Sequence, residues 1–149
     1  NQCASTVNVV YPEASISVTK AENQDFVITL DPNLMEMAII NLIENAAKYS
    51  AGPAEIAIHL WKDENTVFMS IADKGIGIPA ADIEHIFVRF YRVNKQESKK
   101  KGGSGLGLAI VESIIEKHFG KIRVKSEVGK GTTFTLHFPI KTKLARIYR

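Results

Sequence analysis

Two stretches of the chain, Glu55 to Trp61 and Thr66 to Ala72, alternate apolar with polar or small residues, and Lys62 to Asn65 between them suit a hairpin. A second pair, residues 122–128 and 132–138, flanks Gly129-Lys130-Gly131, with Phe134, Leu136 and Phe138 alternating against Thr133, Thr135 and His137. The period changes between Asp31 and Tyr49. Asp31 supplies a helix N-cap, Pro32 suits the first helical position, and Leu34, Met37, Ala38, Ile39, Ile40, Leu42 and Ile43 make a helix over about 32–49. A second helix is expected over about 105–118, with Ile110, Val111, Ile114 and Ile115 as a core stripe and Gly120 as its terminator. Phe26 to Leu30 form a short β-prone run. Val7 to Tyr11 and Ile16 to Thr19 are β-prone as well, with Pro12 and polar neighbours leaving their assignment open. From Asp73 to Gly105 the pattern breaks into glycines, aromatics and lysines around a short helix at 80–86, and a connection of that length inside a domain usually carries function or is disordered. The sum is a sheet of about five strands with helices.

Composition narrows this further. A chain of 149 residues, 45% hydrophobic and 23% charged, fits one ordinary globular core, so 1–149 reads as a single domain with 1–25 as an unassigned lead-in and 141–149 as a basic tail. No apolar run approaches the roughly 20 residues of a membrane span. Cys3 is the only cysteine, which excludes an internal disulfide and makes a zinc site improbable. The start at Asn1, with neither Met nor a leader, reads as a fragment of something longer. Net charge is a modest +3, yet Arg89, Arg92, Lys95, Lys99, Lys100 and Lys101 crowd one segment with only Glu97 opposing them. That is a local anion patch or a solvated loop, and duplex binding would want a broader basic face. Lys141, Lys143, Arg146 and Arg149 in the tail carry no readable motif.

The first helix carries the first candidate chemistry. At about 100° per residue, Asn41, Asn45 and Lys48 fall within about 60° of one another, flanked by Glu44 and Tyr49. A polar strip on an otherwise apolar helix needs partners, which a ligand would supply; alternatively the asparagines face solvent. Amide and carboxylate oxygens suit Mg²⁺, Lys48 a phosphate, and Tyr49 a base or sugar. Asp73-Lys74-Gly75-Ile76-Gly77-Ile78-Pro79 follows directly on a strand; Asp73 at its exit would accept from an exocyclic amino group, though the string alone is also a plain turn. Gly102-Gly103-Ser104-Gly105-Leu106-Gly107-Leu108 opens the second helix, where free N–H groups favour phosphate, unless the run is only a flexible linker. It follows no strand and lacks Gly-Lys-Ser/Thr, so it is neither a dinucleotide fingerprint nor a Walker loop.

Taken in this order, the segments resemble the histidine kinase-like ATPase superfamily shared with gyrase B, the Hsp90 chaperones and mismatch-repair ATPases. Asn41 to Ser50 is similar to its N box, Asp73 to Gly77 to its first glycine box, Gly103 to Gly107 to its second, and Ile86 to Arg92 to the F box of sensor kinases. The resemblance covers about residues 26–140. It implies the Bergerat ATP-binding fold of the α+β class, a two-layer α/β sandwich with about three helices on one face of a mixed five-stranded sheet. It implies ATP and Mg²⁺ as cofactors, with Asn45 as metal ligand, Asp73 on the adenine amino group, Lys48 on phosphate, Tyr49 near adenosine and Asn41 as a further polar contact. Gly75, Gly77 and Ile78 fall in the first glycine box. Arg92 and the lysines before Gly102 would form an ATP lid, Gly103, Ser104, Gly105, Leu106, Gly107 and Leu108 would present backbone N–H groups, and Thr132 would line the adenine end.

Asn41 stands where gyrase-like ATPases place a glutamate that activates water, and an amide is no general base at neutral pH. The resemblance therefore implies a sensor histidine kinase catalytic domain that gives its γ-phosphate to a histidine on a separate dimerisation domain, the first step of a phosphorelay to a response regulator receiver domain. Glu44 is the nearest carboxylate, but its family equivalent is not the usual base. None of His59, His85, His118 and His137 sits in the His-Glu/Asp context of an acceptor helix. His59 and His137 read as strand-face residues, and Phe87 and Phe90 read also as mere packing anchors for the lid. The competing readings are an anti-sigma-type serine kinase, against which Phe87 to Arg92 argues, and a non-catalytic nucleotide-binding module. No nucleic acid or membrane contact is expected of the domain itself, which is placed in the cytoplasm beneath a parent anchored in the bacterial inner membrane.

Overall fold

The computed structural model describes residues 9–25, 27–93 and 104–140. Strands β1 (Ser15–Lys20), β2 (Glu55–Lys62), β3 (Thr66–Asp73), β4 (Lys121–Glu127) and β5 (Gly131–Pro139) form one mixed sheet in the order β1-β2-β3-β5-β4. β1 runs parallel to β2, and every other pairing is antiparallel. Helices α1 (Pro32–Lys48) and α2 (Gly107–Lys117) pack against each other, and their buried residues share one hydrophobic cluster with the inner residues of the sheet. This is the expected α+β two-layer sandwich, with α1, α2, one short 3₁₀ helix and the helical pair Val9 and Val10 among the described residues.

Local chemistry explains where the elements begin. The Asp31 carboxylate accepts from the Asn33 and Leu34 N–H groups at 2.9 and 3.0 Å, satisfying two of the orphan donors of α1, and Pro32 follows it at the first helical position. The β2–β3 turn is closed by Asp63, whose Oδ1 accepts from Asn65 and Thr66 N–H at 2.8 and 2.7 Å. Met35, Ala38, Leu42, Ile43, Ala46 and Ala47 of α1 and Val111, Ile114 and Ile115 of α2 meet Ile56, Ile58, Ile71, Phe134, Leu136 and Phe138 of the sheet. The His118 ring joins the helix ends, its Nε2 accepting from Asp31 N–H at 2.9 Å while Nδ1 lies 2.7 Å from the Ile114 carbonyl. His59 and His137 are indeed strand-face residues of the other side of the sheet, in a ring row with Trp61 and Phe68.

Four expectations change. Residues 27–30 are not a strand: Val27 and Thr29 are exposed and Ile28 and Leu30 lean on the core, so the alternation belongs to an extended segment without a ladder. Beside them the Gln24 amide has taken the edge of β2, accepting from Lys62 N–H at 2.9 Å and donating to its carbonyl at 3.2 Å. Phe26 lies outside the described residues, as do Val7 and the tail from Lys141; Val9 and Val10 are helical rather than extended. The helix expected at 80–86 shrinks to a 3₁₀ turn, Ile83–His85. The second helix begins at Gly107 rather than 105, and Ile110, placed in its core stripe, is 40% exposed. Phe119, with φ +60, makes the left-handed residue at its end, and Gly120 is needed instead for space, because a Cβ there would stand 2.6 Å from the His137 carbonyl oxygen.

Candidate functional site

A cavity of about 510 Å³ opens between α1, the segment after β3, the approach to α2 and the β4–β5 hairpin. Asp73, at the last position of β3, is one of its polar lining groups. Asp73 Oδ1 accepts from the Gly75 N–H at 2.8 Å and from the Thr132 N–H at 3.2 Å. Oδ2 takes no bond from the described residues and is not a buried orphan, so it remains available to a donor in the cavity. Burial pushes the carboxyl above its ordinary pKa, and the two backbone hydrogen bonds oppose that shift.

The segment after Asp73 is held on both sides. Ile76 N–H donates to the Tyr49 carbonyl at 3.0 Å, and the Gly129 N–H donates to the Ile76 carbonyl at 2.9 Å. Gly75 is buried against α1, where a Cβ would stand 2.6 Å from Tyr49 O. Gly77 has φ +75, and a Cβ there would come within 2.2 Å of Glu127 O, so only glycine satisfies both the turn and the contact. Ile78 N–H donates to Ser126 Oγ at 2.7 Å, and Ser126 Oγ lies 2.7 Å from the hydroxyl of Thr132, which is 7% exposed.

Along α1, Asn41, Glu44, Asn45, Lys48 and Tyr49 all line the cavity, half-buried, so the strip faces neither core nor open solvent. Asn41 Nδ2 donates to the Met37 carbonyl at 2.9 Å, which fixes the amide and leaves its oxygen near Gly107. Among the described residues no three His, Cys, Asp or Glu side chains converge as a cage. The donors present, an Asn45 amide beside a Glu44 carboxylate, fit an ion that keeps most of its shell as water and phosphate oxygen.

At the other end the chain enters and leaves the cavity wall through one contact. Phe90 N–H donates to the Gly105 carbonyl at 2.8 Å, Phe90 itself has φ +66, and a Cβ on Gly105, at φ +75, would stand 2.8 Å from Phe90 Cα. Ile86 is buried and Phe87 packs edge-on against Phe134 at 6.4 Å, whereas Phe90 is 69% exposed and is no packing anchor. Tyr91 donates its hydroxyl to the Asp82 carboxylate, and Arg92 lines the cavity next to it. Leu106, at the N-cap of α2, offers no side-chain cap, so the first N–H groups of the helix lack a side-chain acceptor behind Ser104, Gly105, Gly107 and Leu108, all of which line the cavity.

Of the expected site residues, Asn41, Asn45, Lys48, Tyr49, Asp73, Gly77, Ile78, Arg92, Ser104, Gly105, Gly107, Leu108 and Thr132 come together here. Gly75 and Leu106 do not reach the wall; they shape the turns behind it. Gly103 and the lysines from 95 to 101 lie outside the described residues. Sequence reasoning missed the apolar wall of Ile76, Pro79, Val93 and Val128 and the hydroxyl of Ser126 behind it. The only signal was register, since Ser126 pairs with Thr132 across β4 and β5.

Residues 30–142 match the family described as histidine kinase-, DNA gyrase B-, and HSP90-like ATPases. The chain belongs to that family. It is 40% identical over 121 residues to the sensor histidine kinase WalK of Bacillus subtilis, covering 80% of this chain and 20% of WalK. It is 37% identical over 139 residues to the sensor-like histidine kinase SenX3 of Mycolicibacterium smegmatis, covering 93% of this chain and 36% of SenX3. The solved mycobacterial sensor histidine kinase MprB superposes with a TM-score of 0.78 at 28% identity, over 93% of this chain and 89% of that one. A nucleotide-free catalytic domain of the histidine kinase ThkA gives 0.72 at 26% identity, over 93% and 92%. The chain thus spans between a fifth and roughly a third of these two curated relatives and nearly all of the two solved chains. It is an ATP-binding catalytic domain of the sensor histidine kinase kind.

Proposed function

We propose that the cavity binds MgATP with adenine at Asp73 and Thr132 and the phosphates under Arg92 and the start of α2, and that the domain transfers the γ-phosphoryl group to a histidine on a separate dimerisation domain. One observation carries this. A single cavity has an accessible, half-buried carboxylate oxygen at one end and the uncapped N-terminus of a helix at the other, complementary to an amino-purine and a polyphosphate respectively. Between them Lys48 supplies a cation and Tyr49 a ring from the end of α1.

Mg²⁺, which the Asn45 amide oxygen would hold together with phosphate oxygens, supplies charge neutralisation at the transferring group. Hydrolysis is disfavoured at Asn41, whose amide is committed to Met37 and has no basic form. The likeness to sensor histidine kinases supports an acceptor domain and the receiver domain of a response regulator as the partners, and a membrane-anchored parent is part of the same proposal. No helix among the described residues is long and apolar enough to cross a membrane.

The deciding experiment mixes the chain with the dimerisation domain of its own parent protein and Mg²⁺ with γ-labelled ATP. Acid-labile, base-stable label on the dimerisation domain is expected, with slow ATP turnover by the chain alone. Rapid turnover by the chain with no phosphohistidine on a folded partner would replace this reading with an autonomous ATPase.

A further inference from the structure

Ser126 does not line the cavity, yet its hydroxyl is the most heavily used polar atom beside it. It accepts from Ile78 N–H at 2.7 Å and donates to the Gly131 carbonyl at 3.1 Å, and it sits 2.7 Å from Thr132 Oγ1. A serine hydroxyl has one proton and two lone pairs. A carbonyl only accepts and an N–H only donates, so the proton goes to Gly131 and one lone pair to Ile78. The other lone pair remains for Thr132, whose hydroxyl is then the donor of the short contact. Thr132 has no second proton to offer: its N–H is given to Asp73 and its O–H to Ser126.

Asp73 and Thr132 therefore present acceptors alone to this end of the cavity, the carboxylate and the lone pairs of the threonine hydroxyl. We propose that Ser126 is a specificity-positioning residue that, by taking the Thr132 proton, keeps the contact to the purine 6-substituent acceptor-only and so favours a 6-amino over a 6-oxo purine. The inference rests on the placement of adenine at Asp73 and Thr132. Its physical basis is an asymmetry at the 6-position: an amino group there meets acceptors, whereas an oxo group meets oxygens that repel it and receives no donor from Asp73 or Thr132. Remove Ser126 and the Thr132 hydroxyl is free to rotate and donate to an oxo group.

The test measures dissociation constants of ATP and of inosine triphosphate, each with Mg²⁺, for the 149-residue chain and its Ser126→Ala, Thr132→Val and doubly substituted forms. Ser126→Ala is expected to cut the preference for ATP by about fivefold to tenfold, the size of one hydrogen bond gained by the oxo group. In the Thr132→Val background the same change is expected to leave the preference where it stands. Ser126→Thr, which keeps the hydroxyl, retains the full preference. If Ser126→Ala does not fold, Ser126→Cys takes its place, because a thiol is a poor hydrogen-bonding partner and the same loss of preference is expected.

Equal weakening of both nucleotides by Ser126→Ala, or an equal shift of preference with and without Thr132, would reduce Ser126 to a structural residue. Equal affinity of the unaltered chain for the two nucleotides would instead overturn the placement of adenine, and this role with it.

Discussion

Asp73 serves two ends that conflict. The carboxylate that recognises an amino group in the cavity is partly buried, and burial raises its pKa, so the folded chain holds that proton more tightly than the unfolded chain does. Its contribution favours folding fully at pH values below the ordinary carboxylate range and is lost as pH rises through the raised value. At neutral pH, without nucleotide, the ionised group is a cost to stability. Asp73→Asn keeps an Oδ1 acceptor for the Gly75 and Thr132 N–H groups and removes the charge. That variant is expected to be at least as resistant to urea as the unaltered chain at pH 7, with the advantage vanishing near pH 4, and to bind ATP at least about tenfold more weakly. A variant that lost stability at pH 7 and kept its affinity would reverse both assignments. Asp73 was legible in the sequence because a carboxylate at a strand exit before alternating glycines is a local pattern. Ser126 was not, because its partners lie 48 and 6 residues away and only the folded register brings them together.

At the scale of elements, the strands and helices with strong periodicity were readable, and the weaker runs were not. Residues 27–30 alternate as a strand would but join no ladder, and on β2 the side next to them in sequence is taken by β1 and, at Lys62, by the Gln24 side chain. Residues 80–86 carry helix-forming alanines and acids, yet Pro79 and the Tyr91–Asp82 bond hold the segment to a single 3₁₀ turn. The first glycine segment and the β4–β5 hairpin are in close backbone contact at Gly77. Gly77→Ala combines a left-handed backbone with a clash against Glu127 O, which together are expected to lower stability by about 2–4 kcal/mol in chemical denaturation and to weaken nucleotide binding. Gly52→Ala, where an added Cβ meets nothing within 4 Å, is the matched control and is expected to alter neither. Similar behaviour of the two variants would detach the hairpin from the site.

Over the whole molecule, the sheet order places β3 and β5 side by side at the centre, so Asp73 and Thr132 belong to the best-supported strands. The cavity is thereby built with one wall on the core and the other on segments that join α1 to α2. A ligand filling it couples the two helices to the hairpin. Saturating MgATP, at about 100 times its dissociation constant, is expected to add about 2.7 kcal/mol of stability and raise the thermal midpoint of this domain by roughly 5–10 °C. Scanning calorimetry with and without nucleotide measures this, and an unchanged midpoint at that concentration would separate the cavity from nucleotide binding. The fold class was legible at this scale because strand pairs and helix faces report on layers. The apolar wall of Ile76, Val93 and Val128 was not, because single apolar residues in loops look the same whether they face a ligand or the core.

The clasp between Phe90 and Gly105 has a bearing on how such a domain can diversify. Phe90 and Gly105 meet backbone to backbone, so these two points of the chain are fixed to each other without help from a side chain. Closing a longer loop costs only about 0.6 kcal/mol for each doubling of its length. A change of chain length between the clasped residues is thus expected to cost the fold little, with the base pocket and the core behind it keeping their shape.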